Sequence, residues 1–115
     1  MKKQVFKGEI YLVDLTGHID SEQSGIRHAL IIKNDVGNKY SPTTIVVTLT
    51  TKGKKKLPTH LYLKPYNCGI KEDSIALFEQ IFTIDKKRLI RKVGQVTNDM
   101  LDEINNMTKI SFGLI

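Results

Sequence analysis

The chain has 115 residues, 40% of them hydrophobic and 26% charged, which suits one globular domain spanning the whole chain and excludes a disordered or low-complexity polypeptide. A net charge of +6, from 18 Lys and Arg against 12 Asp and Glu, favours a polyanionic partner. The lone Cys68 cannot close an internal disulfide, no Cys/His group has zinc spacing, and the lysines after Met1 precede no long apolar run, so a structural metal, a secretory signal and a membrane span are not expected and the expected compartment is the cytoplasm.

In chain order, residues 9–15 (EIYLVDL) are β-branched and aromatic with partial alternation, and predict a strand. Residues 16–26 are polar and contain glycine, which predicts a long loop of the kind that often carries function. Residues 29–32 form a continuous apolar run suited to a buried strand, and the turn formers of 34–42 (NDVGNKYSP) predict a turn. Residues 44–50 (TIVVTLT) give the strongest strand signal in the chain. A lysine-rich loop follows, with Lys52, Lys54, Lys55 and Lys56 around Gly53 and Pro58 at its end. Residues 59–63 and 74–78 predict two strands joined by a turn at Asn67, Cys68 and Gly69, and 82–84 is a short apolar piece. Lys86, Lys87, Arg88, Arg91 and Lys92 form a second basic segment, which reads either as a solvated face or as a phosphate-contacting surface. Residues 97–111 predict a helix: Thr97 is a candidate cap, Asp99 suits the positive end, Met100, Leu101, Ile104 and Met107 share a face, and Gly113 is a candidate stop. Several short strands followed by one helix suggest a small, strongly bent sheet or barrel with a helix packed on it.

Certain stretches carry more information together than singly: KGEIY at 7–11, SEQSGIR at 21–27, LII at 30–32, NDVGNKYSPT at 34–43, LPTH at 57–60, EQIFTIDKKRL at 79–89 and ISFGL at 110–114. In this order and spacing they resemble the MazF/PemK family of toxins over nearly the whole chain. The resemblance implies a mainly β fold with helices, an SH3-like small barrel with a C-terminal helix, shared with the CcdB gyrase poisons. It implies the toxin of a type II toxin–antitoxin system, a homodimer that cuts single-stranded RNA sequence-specifically without metal or other cofactor. It also implies a cognate antitoxin whose disordered segment lies in the RNA groove. Two positions depart from the family pattern: His28 follows Arg27 where proline is common, and Phe82 stands where arginine is usual.

RNA carries its own nucleophile, the 2′-hydroxyl beside the scissile phosphate. A protein cuts it without metal by holding that hydroxyl in line, assisting proton transfer and stabilising charge on the phosphorane. The products are a 2′,3′-cyclic phosphate and a 5′-hydroxyl. By resemblance the catalytic residues are Arg27, whose guanidinium is a permanent multidentate donor, and Thr50, whose hydroxyl can donate to a phosphate or leaving oxygen. Expected RNA contacts are Ser21, Glu22 and Gln23 in the long loop, Lys52, Lys54 and Lys55 in the basic loop, and Gln80, whose amide can read an open base edge. His18, His28 and His60 are rivals as an acid–base pair. If the strand starts before His28, that side chain points away from Arg27, and His60 is expected to be structural. Two other classes compete: a toxin of the same fold that poisons DNA gyrase without catalysis, and an RNA-binding module, for which aromatic stacking platforms are lacking if most Tyr and Phe lie in strand cores.

Overall fold

The structure, a computed structural model, describes residues 4–17, 24–51, 53 and 56–114. The elements run β1 (Glu9–Asp14), β2 (Ile26–Ile31), α1 (Asp35–Tyr40), β3 (Thr43–Thr50), β4 (His60–Leu63), α2 (Pro65–Cys68), β5 (Ser74–Asp85), a 3-10 turn (Lys86–Arg88), β6 (Leu89–Gln95) and α3 (Asn98–Ser111). The six strands form one antiparallel sheet in the order β4-β5-β3-β2-β1-β6. The expected mainly β class with a C-terminal helix is therefore present, as a strongly bent sheet whose outer strands β4 and β6 do not pair with each other.

Alternation along the strands builds two cores. Ile10, Leu30, Val47, Leu49, Ala76 and Phe78 face the side on which α3 packs, burying Ile104, with Met100, Leu101 and Met107 against the same cluster. Tyr11, Val13, Ala29, Ile31, Val46 and Ile84 face the other side, where Val5, Leu15 and Leu89 join them. Both faces of the central strands are thus apolar, which is why β3 reads as a near-continuous hydrophobic run. Regular pairing between β3 and β5 is broken once. From Val47 to Leu49 β3 advances two residues, while its partner β5 moves five, from Ile81 to Ala76. The extra residues form a bulge, beyond which β5 pairs with β4.

Where β6 approaches α2 the contact is made by backbone. A Cβ at Gly94 would lie 2.5 Å from the Cys68 carbonyl oxygen and 3.0 Å from Ile70 Cγ2, so only glycine permits this approach. The Thr97 N–H donates to the Asn67 carbonyl at 3.0 Å beside it. Cys68, expected as an unpartnered turn residue, is buried in the first core, and its thiol donates to the Lys64 carbonyl at 3.1 Å. Burial pushes that thiol's pKa up, the direction of an unreactive cysteine.

Several expectations need correction. Within residues 34–42, Asp35–Tyr40 form the helix α1: the Asn34 carboxamide accepts from the Gly37 N–H at 2.8 Å as an N-cap, and Asp35 occupies the first turn. Turn-forming residues here nucleate a short helix instead of ending one. The strand expected at 74–78 and the apolar piece at 82–84 are one strand, interrupted by the bulge. Residues 89–95, read only as a basic segment, form β6. Thr97 stands at the N-cap of α3 without a side-chain cap bond.

Candidate active site at the end of the sheet

The long loop before β2 is tied down at both ends. At its start the Asp14 carboxylate accepts from the Thr16 N–H at 2.9 Å, and hydrogen bonds from Thr16 hold its carboxyl below the usual carboxylate range. The Arg88 guanidinium donates to the carbonyls of Asp14 at 3.0 Å and Thr16 at 3.2 Å. At the other end Gly25, with φ of 93°, turns the chain into β2, and its carbonyl accepts from the Leu15 N–H at 2.8 Å. Ser21, Glu22 and Gln23, with His18, lie outside the described residues, as do Lys52, Lys54 and Lys55.

Arg27 is the second residue of β2 and pairs with Val13 of β1. Its Nε donates to the Ser24 carbonyl at 3.4 Å, a long bond that leans the guanidinium toward the loop. Thr50 ends β3, 8% exposed, and pairs with Ile75 of β5. The β2–β3 ladder runs Ile31↔Val46, Leu30↔Val47, Ala29↔Thr48. Continued by two residues, the same register sets Arg27 across from Thr50, on one face of the sheet with Ala29 and Thr48. The ladder ends at Ala29, and there a cleft of about 320 Å³ opens, lined by Leu12, Ile26, Arg27, His28, Leu49, Thr50 and Thr51. Arg27 and Thr50 thus both line one cleft, and a guanidinium and a hydroxyl brought to one phosphate group can donate several hydrogen bonds to it.

Gln80 sits in the β5 bulge, half-buried, and its Oε1 is buried without a hydrogen-bond partner among the described residues. Sequence reasoning missed a second such group, Thr48 Oγ1, fully buried and unpartnered on β3. Its signal was the period-two spacing from Thr50. A buried hydroxyl without a partner costs about 1–3 kcal/mol, and a methyl of similar shape removes that cost. Thr48→Val is therefore expected to raise stability by about 1 kcal/mol in urea denaturation.

Other candidates are taken up structurally. β2 begins at Ile26, so His28, paired with Leu12, alternates to the face opposite Arg27. His60 is buried: its Nδ1 accepts from the Leu57 N–H at 3.4 Å, which leaves Nε2 to donate to the Glu79 carboxylate at 3.0 Å. Phe82 is half-buried and packs on the second core opposite Val46, so this departure from the family pattern adds apolar surface in place of a charge. The second basic segment is not one continuous charged face. Lys86 is buried and donates to the Asn38 carbonyl, Arg88 holds the loop, and Lys92 pairs with Glu9 at 3.0 Å and Gln95 at 2.7 Å. Aromatic residues are less confined to cores than expected, since Phe6, Tyr40, Tyr62, Tyr66 and Phe112 are exposed, yet none lines the Arg27–Thr50 cleft. Among the described residues no three His, Cys, Asp or Glu side chains are grouped to hold a metal ion, and no helix is long and apolar enough to cross a membrane.

Comparison with known proteins agrees with this architecture. The chain is 43% identical to "Endoribonuclease EndoA" of Bacillus subtilis over 112 residues, 96% of this chain and 97% of that protein. It is 45% identical to "Endoribonuclease MazF" of Staphylococcus saprophyticus over 109 residues, 94% and 91% of the two chains. Among solved structures, an endoribonuclease in complex with its cognate antitoxin, from Mycobacterial species, superposes with a TM-score of 0.80 at 24% identity, covering 96% of this chain and 97% of that one. MazF from Deinococcus radiodurans gives 0.79 at 19% identity, with 96% and 98% coverage. The two structures support the fold. A family model described as PemK-like, MazF-like toxin of type II toxin-antitoxin system matches residues 6–112. With that match over almost its full length, and with the two curated relatives beside it, the chain belongs to the PemK-like, MazF-like family of type II toxins.

Proposed function

We propose that this toxin is a metal-independent, sequence-specific endoribonuclease that cleaves single-stranded RNA in the Arg27–Thr50 cleft. The observation that carries the reading is that Arg27 and Thr50 line one cleft where the β2–β3 ladder ends. The substrate's 2′-hydroxyl attacks the adjacent phosphorus as the bond to the 5′-oxygen of the next nucleotide breaks, giving a 2′,3′-cyclic phosphate and a 5′-hydroxyl. Arg27 stabilises the charge that grows on the non-bridging oxygens, and Thr50 donates to a phosphate or leaving oxygen. Gln80, whose amide can read an open base edge, is assigned a base contact. Ser21, Glu22, Gln23, Lys52, Lys54 and Lys55 are assigned the flanking contacts. The two curated relatives are named as endoribonucleases, which supports catalysis over gyrase poisoning.

The test is incubation with long single-stranded RNA in excess EDTA, with end-mapping of the fragments. Cleavage at a short recurring sequence, leaving 2′,3′-cyclic phosphate and 5′-hydroxyl ends, is expected. Activity lost in EDTA and restored by magnesium or manganese would overturn the mechanism.

The protein also acts, on this reading, in the cytoplasm, as one domain in a homodimer, held inactive by a cognate antitoxin. A solved neighbour carries its antitoxin, which supports the last point for this chain. Sedimentation at micromolar concentration is expected to give a species of twice the chain mass, and a monomer alone would refute the dimer.

A further inference from the structure

A second cleft, of about 420 Å³, lies between β6 and the segment that leads from α2 into β5. Arg91 and Val93 line it from β6, and Ile70, Lys71 and Glu72 from the opposing segment. It belongs to the sheet face away from Arg27: Arg91 pairs with Leu12, and Leu12 with His28, so the three form one row across neighbouring strands. His28 and Thr51 line both this cleft and the Arg27–Thr50 cleft. The two are therefore joined around the end of the sheet.

The charges in the second cleft are uncommitted. Arg91 and Lys71 are exposed, and among the described residues neither side chain makes an ion pair or hydrogen bond. The contrast with the next residue is direct, since Lys92 is neutralised by Glu9. Glu72 is the one acid among the lining residues, so the balance stays positive. Half-buried Val93 and buried Ile70 give the cleft an apolar wall against which a base can lie.

We propose that this cleft is a second subsite for the same RNA strand, in which Arg91 and Lys71 bind backbone phosphates of nucleotides flanking the cleaved one. The proposal rests on the RNA-cleaving reading and adds to it a path: the strand leaves Arg27 and Thr50, passes His28 and Thr51, and is held by two cations on the far face. A guanidinium and an ammonium that spend no charge on protein partners are what phosphate recognition requires. Such contacts add affinity without sequence information.

The test uses the double variant Arg91→Gln/Lys71→Gln, with Lys39→Gln/Lys109→Gln as a variant of equal charge. Cleavage is measured on oligonucleotides of about four and about sixteen nucleotides sharing one cleavage sequence. On the long substrate the first variant is expected to raise KM by about tenfold at low salt with kcat unchanged, and to flatten the dependence of log affinity on log salt by about 1.4. On the short substrate it should match the wild type. The Lys39/Lys109 variant should match the wild type on both. An unchanged KM and salt dependence on the long RNA would overturn the subsite while leaving the cleavage reading intact. Equal losses on short and long RNA, or equal losses in both variants, would overturn it too. A wild-type protein that neither binds nor cuts single-stranded RNA would remove the cleavage reading, and the subsite with it.

Discussion

Replacing Arg27 by alanine is expected to lower RNA cleavage by about two to three orders of magnitude while leaving a folded protein that still binds RNA. The negative charge that Arg27 meets is greater on the phosphorane than on the ground-state phosphodiester, so its loss falls on turnover more than on binding. The fold should tolerate the change because Arg27 is only half-buried, near the start of β2. Arg27→Lys should restore activity only in part, since an ammonium cannot reproduce a two-pronged contact. His28→Ala should retain most activity, because its side chain alternates to the other face of β2 from Arg27, so that it flanks the cleaved phosphate without meeting it. Single-turnover measurement of the three variants decides the matter. Cleavage that survives in Arg27→Ala but vanishes in a folded His28→Ala would replace the arginine mechanism by a histidine one.

The legible parts of the fold are those where local chemistry and tertiary role coincide. TIVVTLT became β3 because its β-branched residues are wanted on both faces of a central strand. Met100, Leu101, Ile104 and Met107 marked the buried face of α3 for the same reason. β6 was hidden because two adjacent cations interrupt its apolar residues on a strand that forms one edge of the sheet: Leu89 is buried and Val93 half-buried, while the exposed Arg91 and Lys92 stand opposite Leu12 and Tyr11. The unity of β5 was hidden by Glu79 and Gln80, polar residues that look like a break and instead occupy a bulge. Lys86 misled most, because nothing local marks a lysine whose ammonium is buried against the carbonyl of Asn38, 48 positions away. At the site, the identities of Arg27 and Thr50 came from family resemblance. Their common face depends on the β2–β3 register, and register is set by pairing between strands that neither strand specifies alone.

Phe78→Ala is expected to cost about 3–5 kcal/mol of folding stability, the range for emptying a fully buried phenyl site. Phe78 is 0% exposed and heads the largest buried side chains. Its ring lies in the cluster that joins the sheet to α3. Its backbone stands where β5 leaves regular pairing: the N–H donates to the Thr59 carbonyl at 2.9 Å, and the carbonyl accepts from Ser111 Oγ at 2.6 Å. Alanine keeps both backbone bonds, so the loss isolates the ring. A cavity there lets α3 and the bulge relax only in part, because other members of its cluster, Leu61, Leu63, Ala76 and Ile104 among them, are held by their own strands and helix. Against a total stability of about 5–15 kcal/mol such a loss takes the protein to the edge of folding. Urea titration followed by circular dichroism should show the midpoint falling with the slope unchanged. A loss below about 1 kcal/mol would mean that the core refills around the missing ring and that Phe78 is not what braces α3 against the sheet.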